Sequence, residues 1–294
     1  MQEQTGMIDV PGGRVWFRRL GAGGKLPLLV LHGGPGAASY YLEPFAERMS
    51  LSRPVVIWDQ LGCGRSESPD DPSLWTLDRS CAELDEVRRQ LGLERCHLLG
   101  QSWGGWLSIE YFARGTKGVE GLVLASTSAS MPEFVAAAHR LIELMPEPWR
   151  GTLIRLGEQG AYDDPAYEEA VTEFYRRHLC RLDPWPRAVV DSVSQMDNQI
   201  YLTLNGPTEF DVIGPLGAWE RTADLGRIRI PTLVTVGRYD EITPSCAQTI
   251  VAGIEGARLE IFEESAHMAH EEEPERYAAV VSEFLDGVDA RGEG

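Results

Sequence analysis

The sharpest chemical signal in the sequence is a serine set between glycines. Residues 100–105 read Gly-Gln-Ser-Trp-Gly-Gly, directly after the apolar run 97–99 and before a helix-like run from Trp106 to Ala113. Gly-x-Ser-x-Gly at a strand-to-helix turn is the nucleophile elbow. Small residues on both sides of the serine allow a tight turn, and the helix N-terminus stabilises developing negative charge. The pattern predicts that Ser102 is a nucleophile.

A serine hydroxyl is a weak nucleophile, so it needs a general base and a carboxylate that orients the base. In hydrolases with this elbow, an acidic residue and then a histidine follow the serine, each after a late strand. Asp240 follows the predicted strand 232–236, and His267 follows the predicted strand 258–262. We therefore expect Ser102, His267 and Asp240 to form a catalytic triad.

Two neighbouring residues leave this assignment open. Glu241 could take the place of Asp240, because it is the next residue in the chain. His270 could take the place of His267, because it is only three residues further on. Position relative to the strands favours the first member of each pair, so we expect the second members to have different roles.

A glycine-rich loop follows the early apolar run that ends at Leu31. Residues 32–36 read His-Gly-Gly-Pro-Gly, which allows a backbone N–H to point into the site. Such a group can pair with the N–H of the residue after the nucleophile and hold a tetrahedral oxyanion. The sequence therefore predicts an oxyanion hole formed by the N–H groups of Gly34 and Trp103, with His32 bracing the loop.

The elements that position these residues alternate along the chain. Apolar runs predict strands at 14–17, 26–31, 55–58, 97–99, 121–125, 232–236 and 258–262. Segments with helical periodicity lie between most of them, for example 76–91. Strands that alternate with helices predict an α/β fold in which helices cover both faces of a mostly parallel sheet.

The alternation stops between residues 129 and 220. This stretch is rich in helix formers and prolines, has no convincing buried strand, and is too long for an ordinary loop. We expect it to be a helical cap, or lid, over the carboxyl ends of the strands, where ligands bind in such sheets. Residues 1–128 and 221–294 then form the core domain. An independent second domain is the alternative.

Composition excludes several classes of protein. The 294 residues are 43% apolar, and their formal net charge is −18. This charge repels phosphate backbones and anionic lipids, so nucleic acid and membrane surfaces are not expected as partners. Five widely spaced cysteines suggest neither a disulfide framework nor a zinc site. No apolar run is long enough to cross a membrane, and the first residues lack a signal-peptide pattern, so we expect a cytoplasmic protein.

Taken together, several segments resemble the proline iminopeptidase family of α/β-hydrolases, from about residue 10 to residue 285. The segments are HGGPG at 32–36, WDQLGCGRS at 58–66, GQSWGG at 100–105, NGPTEF at 205–210 and GRYDEITP at 237–244. The second and fourth are more specific than the elbow, which many hydrolases share. The resemblance implies an α/β-hydrolase fold with an inserted helical lid.

The resemblance also implies a serine exopeptidase or amidase that removes an N-terminal residue, often proline, from a small peptide or amide. Family members hold the free amino group of the substrate with glutamates, which correspond here to Glu209 in the lid and Glu241 beside Asp240. Two carboxylates suit a partly desolvated ammonium group, which needs opposite charge and acceptor oxygens. The resemblance implies no metal or organic cofactor.

Three other interpretations remain open. The first is an amino-acid amide or aminoacyl ester hydrolase, with the same machinery and a different leaving group. The second is a lipase-like or carbon–carbon bond hydrolase, which needs no free amino group. The third is a non-catalytic binding protein, against which the complete set of Ser102, Asp240 and His267 argues. The sequence leaves the oligomeric state open, and Cys63 is either close to the site or an inert buried thiol.

Overall fold

The computed structural model describes residues 2–292, which form an eight-stranded sheet flanked by helices. The strands are β1 (Glu3–Val10), β2 (Gly13–Leu20), β3 (Leu28–Leu31), β4 (Val55–Trp58), β5 (Cys96–Gln101), β6 (Val119–Ala125), β7 (Thr232–Gly237) and β8 (Arg258–Phe262). The α-helices are α1 (Glu43–Met49), α2 (Leu77–Gln90), α3 (Trp103–Ala113), α4 (Met131–Glu143), α5 (Trp149–Glu158), α6 (Pro165–His178), α7 (Arg187–Ser194), α8 (Asn198–Leu204), α9 (Pro244–Gly253), α10 (Ala269–Glu272) and α11 (Pro274–Gly292). Short 3-10 helices cover Ser39–Leu42, Pro72–Leu74, Pro215–Ala218 and Thr222–Arg227.

The strand order in the sheet is β1-β2-β4-β3-β5-β6-β7-β8. The pairs β1/β2 and β2/β4 are antiparallel, and every later pair, from β4/β3 to β7/β8, is parallel. The carboxyl ends of the parallel strands therefore meet at one edge of the sheet. The loops after β3, β5, β7 and β8 leave from that edge, so they bring residues from distant parts of the chain together.

Helices cover both faces of the sheet, as the sequence predicts. In β3, Leu29 and Leu31 pack into the core shared with α2, α3 and α9. Leu28 and Val30 pack into the core shared with α1 and α11. Successive side chains of a strand point to opposite faces, so a strand buried on both faces must be apolar throughout.

The seven predicted strands are all present, with bounds that differ by a few residues, and the predicted helix 76–91 is α2. Thr76 caps this helix, because its side chain accepts a hydrogen bond from the backbone N–H of Arg79. Strand β1 has no counterpart among the strands predicted from the sequence. That strand lies at the edge of the sheet and is mostly exposed, so it lacks the apolar run that marks the buried strands.

Helices α4 to α8 lie between β6 and β7, within residues 129–220, which we call segment 129–220. The structure describes this whole range and assigns no strand to it, apart from one antiparallel bridge between Ser130 and Glu220. Beside the bridge, Met131 N–H donates to Trp219 O at 3.0 Å. The chain therefore leaves and re-enters the sheet region at neighbouring points.

Backbone hydrogen bonds fasten segment 129–220 to the loops at the carboxyl edge of the sheet. The N–H of Asp197 donates to Gly36 O at 2.9 Å. At the end of α6, His178 O accepts from Glu241 N–H at 3.1 Å. The next carbonyl, that of Leu179, accepts from Met268 N–H, also at 3.1 Å. The segment therefore contacts each loop that carries a predicted site residue after β3, β7 and β8.

Candidate active site

Ser102 lies in the sharp turn between β5 and α3, with φ 56° and ψ −120°. This positive φ is uncommon for a residue with a side chain, and it is the strained turn that the elbow pattern predicts. A β-carbon on Gly104 would lie only 2.4 Å from Leu31 O. Only glycine at this position therefore lets the start of α3 lie so close to the end of β3. The elbow and the glycine-rich loop after β3 are therefore neighbours.

Asp240 and His267 are in direct contact at the ends of β7 and β8. The distance from His267 Nδ1 to Asp240 Oδ1 is 2.8 Å, and both side chains are buried. The same carboxylate oxygen accepts the N–H of Ile242 at 2.8 Å, which fixes its orientation. With Nδ1 donating to Asp240, Nε2 of His267 is the nitrogen left to act as a base. Ser102 and His267 line one cavity, although within the described residues Ser102 Oγ forms no hydrogen bond to the imidazole.

The loops that carry Asp240 and His267 approach each other because Gly237 has no side chain. A β-carbon at this position would lie 2.1 Å from Ala266 O. In the close arrangement, Tyr239 N–H donates to Ser265 O at 3.0 Å. Glycine at the end of β7 therefore sets the distance at which the aspartate can reach the histidine.

The two alternatives left open by the sequence occupy different places. His270 is buried away from the cavity, with its ring 5.4 Å from that of Tyr41, and burial lowers its pKa to about 3. Glu241 faces the cavity, whereas Asp240 contacts the histidine. The geometry therefore favours Asp240 and His267 for the acid and base positions.

The glycine-rich loop after β3 lies against the serine. A β-carbon built on Gly33 would be 3.1 Å from Cβ of Ser102, and Gly34 lines the same cavity. Within residues 2–292, the backbone N–H groups of Gly34 and Trp103 donate to no protein atom. Two unpaired donors next to the serine are what an oxyanion hole requires.

Buried side chains hold this loop in place. The hydroxyl of Tyr41 accepts from Gly33 N–H at 2.6 Å and donates to Gln101 Oε1 at 2.6 Å. His32 Nε2 accepts from Gln60 N–H at 2.9 Å, and Gln60 Oε1 accepts from Nε1 of the tryptophan that follows Ser102, also at 2.9 Å. Burial lowers the pKa of His32, so the ring stays neutral and serves as a brace.

Ser102 opens into a cavity of about 710 Å³ between the carboxyl edge of the sheet and segment 129–220. Glu209 and Glu241 both line it, together with His267. Glu241 is 3% exposed, and its Oε2 has no hydrogen-bond partner within the described residues. Glu209 Oε1 accepts a hydrogen bond from the hydroxyl of Tyr201 at 2.8 Å.

Several carboxylates lie near the imidazole of His267 and determine the charge of the cavity. Burial raises the pKa of Glu209, and it raises the pKa of Glu241 well above its usual range, with the negative charge of Glu209 adding to the effect. Burial alone would lower the pKa of His267. The carboxylates of Asp240, Glu241 and Glu209 outweigh burial and raise the pKa of His267 to about 9. The cavity therefore has an excess of negative charge that a cationic ligand would balance.

Three tyrosines of the site are not among the residues predicted from the sequence. Tyr41 orients the glycine-rich loop, and Tyr201 donates a hydrogen bond to Glu209. Tyr175 lines the cavity near Glu209 and Glu241. Burial raises the pKa of Tyr175 well above its usual range, and the negative charges of the two glutamates raise it further. None lies in a motif with fixed spacing, so only the fold brings them to the site.

Cys63 is buried outside the cavity. Its side chain is 2% exposed and does not line the cavity. Burial raises the pKa of the thiol well above its usual range, so the reactive thiolate is suppressed. No cluster of three or more histidine, cysteine or carboxylate side chains in residues 2–292 could hold a metal ion. The helices of that range also include none with the length and apolar character to span a bilayer.

The fold and the site are those of an α/β hydrolase, and the family model described as the alpha/beta hydrolase fold matches residues 27–274. The comparison with curated proteins is more specific. The proline iminopeptidase of Saccharolobus solfataricus is 41% identical over 90% of this chain and 86% of its own length. That of Heyndrickxia coagulans is 37% identical over 96% and 99%.

A solved structure gives the same result. The crystal structure of the proline iminopeptidase of Mycobacterium smegmatis has a TM-score of 0.92 and 36% identity, and the match covers 98% of this chain and 100% of that one. The chain belongs to the proline iminopeptidase family of α/β hydrolases. The resemblance that the sequence motifs carry is thereby confirmed, as is the predicted fold class.

Proposed function

We propose that the protein is a prolyl aminopeptidase, which hydrolyses the amide bond after an N-terminal proline with a free amino group. Its substrates are small peptides or amides. The observation that carries the proposal is the placement of Glu209 and Glu241 in the same cavity as Ser102 and His267. At neutral pH the amino group of an N-terminal proline is a cation, and buried carboxylates without cationic partners of their own are suited to bind it.

The proposed mechanism starts with proton transfer. His267, oriented by Asp240 through Nδ1, takes the proton of Ser102 through Nε2 while the serine oxygen attacks the amide carbon. The N–H groups of Gly34 and Trp103 stabilise the resulting oxyanion. The carbon–nitrogen bond then breaks, and His267 gives the proton to the leaving nitrogen.

The second half of the reaction repeats these steps with water. His267 takes a proton from a water molecule, the water oxygen attacks the acyl carbon, and the bond to Ser102 breaks as the serine recovers a proton. Free proline and the shortened peptide or amine are the products. The chain's own residues perform every step, and the glutamates contribute by holding the amino group while the carbonyl lies over the serine.

Segment 129–220 acts in this proposal as a cap that completes the substrate site. Support comes from its contribution to the cavity wall, which includes Glu209, and from the bridge between Ser130 and Glu220 at its base. The core then comprises residues 1–128 and 221–294, and it carries the triad and the oxyanion hole.

Substrates that differ only at the amino group test the proposal. We expect proline 4-nitroanilide to be hydrolysed and its N-acetyl derivative to be hydrolysed at least 100-fold more slowly, because the acetyl group removes the charge. Glu209→Gln should lower kcat/KM for the free amine, whereas activity on a neutral ester such as 4-nitrophenyl acetate should not fall, because Glu209 only adds to the raised pKa of His267. Glu168→Gln is the control, because Glu168 also lines the cavity but is exposed. Equal rates for the free and acetylated anilides would refute the proposal.

A further inference from the structure

One part of the cavity wall lies directly beside the base and is apolar. Met268 follows His267 in the chain, lines the cavity, and is fastened through its N–H to the carbonyl of Leu179, which also lines it. Trp185 and Val189 continue this wall, and Val193 of α7 forms its exposed end. We call these five residues, Leu179, Trp185, Val189, Val193 and Met268, the apolar wall.

Apart from His267, the ionisable groups of opposite sign are missing from the described lining of the cavity, whose charged side chains are acidic. Its lining includes the carboxylates of Asp163, Glu168, Glu209 and Glu241, and it includes no lysine or arginine from residues 2–292. Three arginines lie two residues from the apolar wall in sequence, and each has partners outside the cavity. Arg177 Nε donates to Glu173 at 2.8 Å, and Arg187 Nε donates to Asp191 at 2.7 Å. Arg181 Nη1 donates to Glu264 O at 2.6 Å, and its guanidinium lies 3.8 Å from the ring centre of Tyr239. Within the described lining, the one group that can carry a positive charge is therefore His267, whose Nδ1 contacts Asp240 and whose Nε2 faces the reacting atoms in the proposed mechanism.

The reaction determines which part of the substrate meets the apolar wall. His267 must give its proton to the leaving nitrogen, so the leaving group lies next to the imidazole and next to Met268. A dipeptide would place its terminal carboxylate only two bonds beyond that nitrogen. There the carboxylate would lose hydration. Apart from His267, whose ring nitrogens serve Asp240 and the leaving nitrogen, it would meet apolar side chains and other negative charges, which is unfavourable.

We propose that the apolar wall is a leaving-group subsite that selects uncharged, apolar amines. The preferred substrates are then amides of apolar amines, and peptides of three or more residues whose second side chain is apolar, over dipeptides with a free carboxylate. The cavity volume of about 710 Å³ lies within the range of sites that enclose drug-sized ligands, so such leaving groups have room. This inference rests on the proposed aminopeptidase function and specifies its substrate class.

Three substrates test the subsite with the wild-type enzyme: Pro-Leu-NH2, Pro-Leu and Pro-Gly-NH2. We expect kcat/KM for Pro-Leu-NH2 to exceed that for Pro-Leu at least tenfold, because only the second carries the carboxylate. Pro-Leu-NH2 should also exceed Pro-Gly-NH2 about tenfold, because burial of a leucine side chain is worth at least that factor. Equal rates for the amide and the acid would overturn the inference and leave the aminopeptidase proposal standing.

A charge placed on the apolar wall provides the second test. Val193→Lys puts a cation at the end of the wall and should raise the ratio of kcat/KM for Pro-Leu to that for Pro-Leu-NH2 at least fivefold. Val190→Lys is the matched control, because Val190 lies on the same helix and is equally exposed, at 43%, but does not line the cavity. An equal change in both variants, or none in Val193→Lys, would overturn the inference. If wild-type enzyme cleaves neither these substrates nor proline 4-nitroanilide, the aminopeptidase proposal itself fails.

Discussion

Replacing Glu241 by glutamine should change the hydrolysis of two substrates in opposite directions. Glu241 is proposed to bind the substrate's amino group, and its negative charge also contributes to the raised pKa of His267. The substitution removes the charge and keeps the size of the side chain. Activity on a free-amine substrate should fall, whereas activity on a neutral ester should rise near neutral pH.

The size of the second effect follows from the protonation of the base. In the free enzyme the pKa of His267 is raised from 6.5 to about 9, and three carboxylates share this increase, with Asp240 the largest contributor. Removal of the Glu241 charge should lower the pKa by roughly one unit, or about 1.4 kcal/mol. At pH 7.5 the neutral fraction of His267 then rises from about 3% to about 24%, which is roughly an eightfold gain in active base.

The assay is the pH dependence of kcat/KM for 4-nitrophenyl acetate between pH 6 and 10, in wild type and in Glu241→Gln. A neutral ester has no amino group, so its rate depends on the unprotonated fraction of His267 and not on amine binding. We expect the acid limb near pH 9 in wild type and about one unit lower in the variant. Glu168→Gln should leave the limb in place. An acid limb that does not move in Glu241→Gln, or that moves upward, would refute the electrostatic reasoning.

Other perturbations probe the remaining contacts of the site. Tyr201→Phe removes the hydrogen bond to Glu209, so KM for proline 4-nitroanilide should rise about 3- to 10-fold with the ester unaffected, and an equal loss on both would contradict this role. Gly237→Ala places a β-carbon against Ala266 O, so we expect a destabilisation of about 2–3 kcal/mol in urea unfolding and a lower kcat; unchanged values would show that the loops can separate without cost. Raising NaCl from 0.02 to 0.5 M should lower kcat/KM for the cationic anilide only, because salt screens the −18 charge; parallel responses would exclude steering.

Local sequence patterns predict most of the sheet and the elbow. The parallel strands β3, β4, β5 and β7 are buried on both faces, so their apolar runs are visible in the sequence, and the glycines around Ser102 mark the tight turn. The edge strand β1 has no apolar run in the sequence, because one of its faces is open to solvent and its stability comes from pairing with β2. Strands and helices alternate in the sequence, so the fold class can be predicted even where bounds differ. The order of the strands in the sheet does not follow from alternation.

The residues of the site also fall into two groups, those that the sequence predicts and those that it does not. Ser102, Asp240 and His267 each follow a strand, and their order is typical of the fold, so residue type and spacing are sufficient to nominate them. The hydrogen bond from Tyr201 to Glu209 joins residues eight apart, one in α8 and the other in the irregular stretch that follows it. The hydrogen bond from Tyr41 to Gln101 spans 60 residues. Such contacts depend on where the backbone turns, which no short pattern encodes.

The two carbonyls at the C-terminal end of α6 have a consequence for exchanging parts between relatives. His178 O accepts a hydrogen bond from Glu241 N–H, and Leu179 O accepts one from Met268 N–H. This short stretch therefore joins the loop that carries Asp240 to the loop that carries His267, through backbone atoms that every amino acid possesses. Its side chains can therefore vary while the join persists. A chimera that takes α4 to α8 from a relative should keep the triad geometry if the backbone length around residues 178–179 is preserved. One inserted residue there would displace both loops at once.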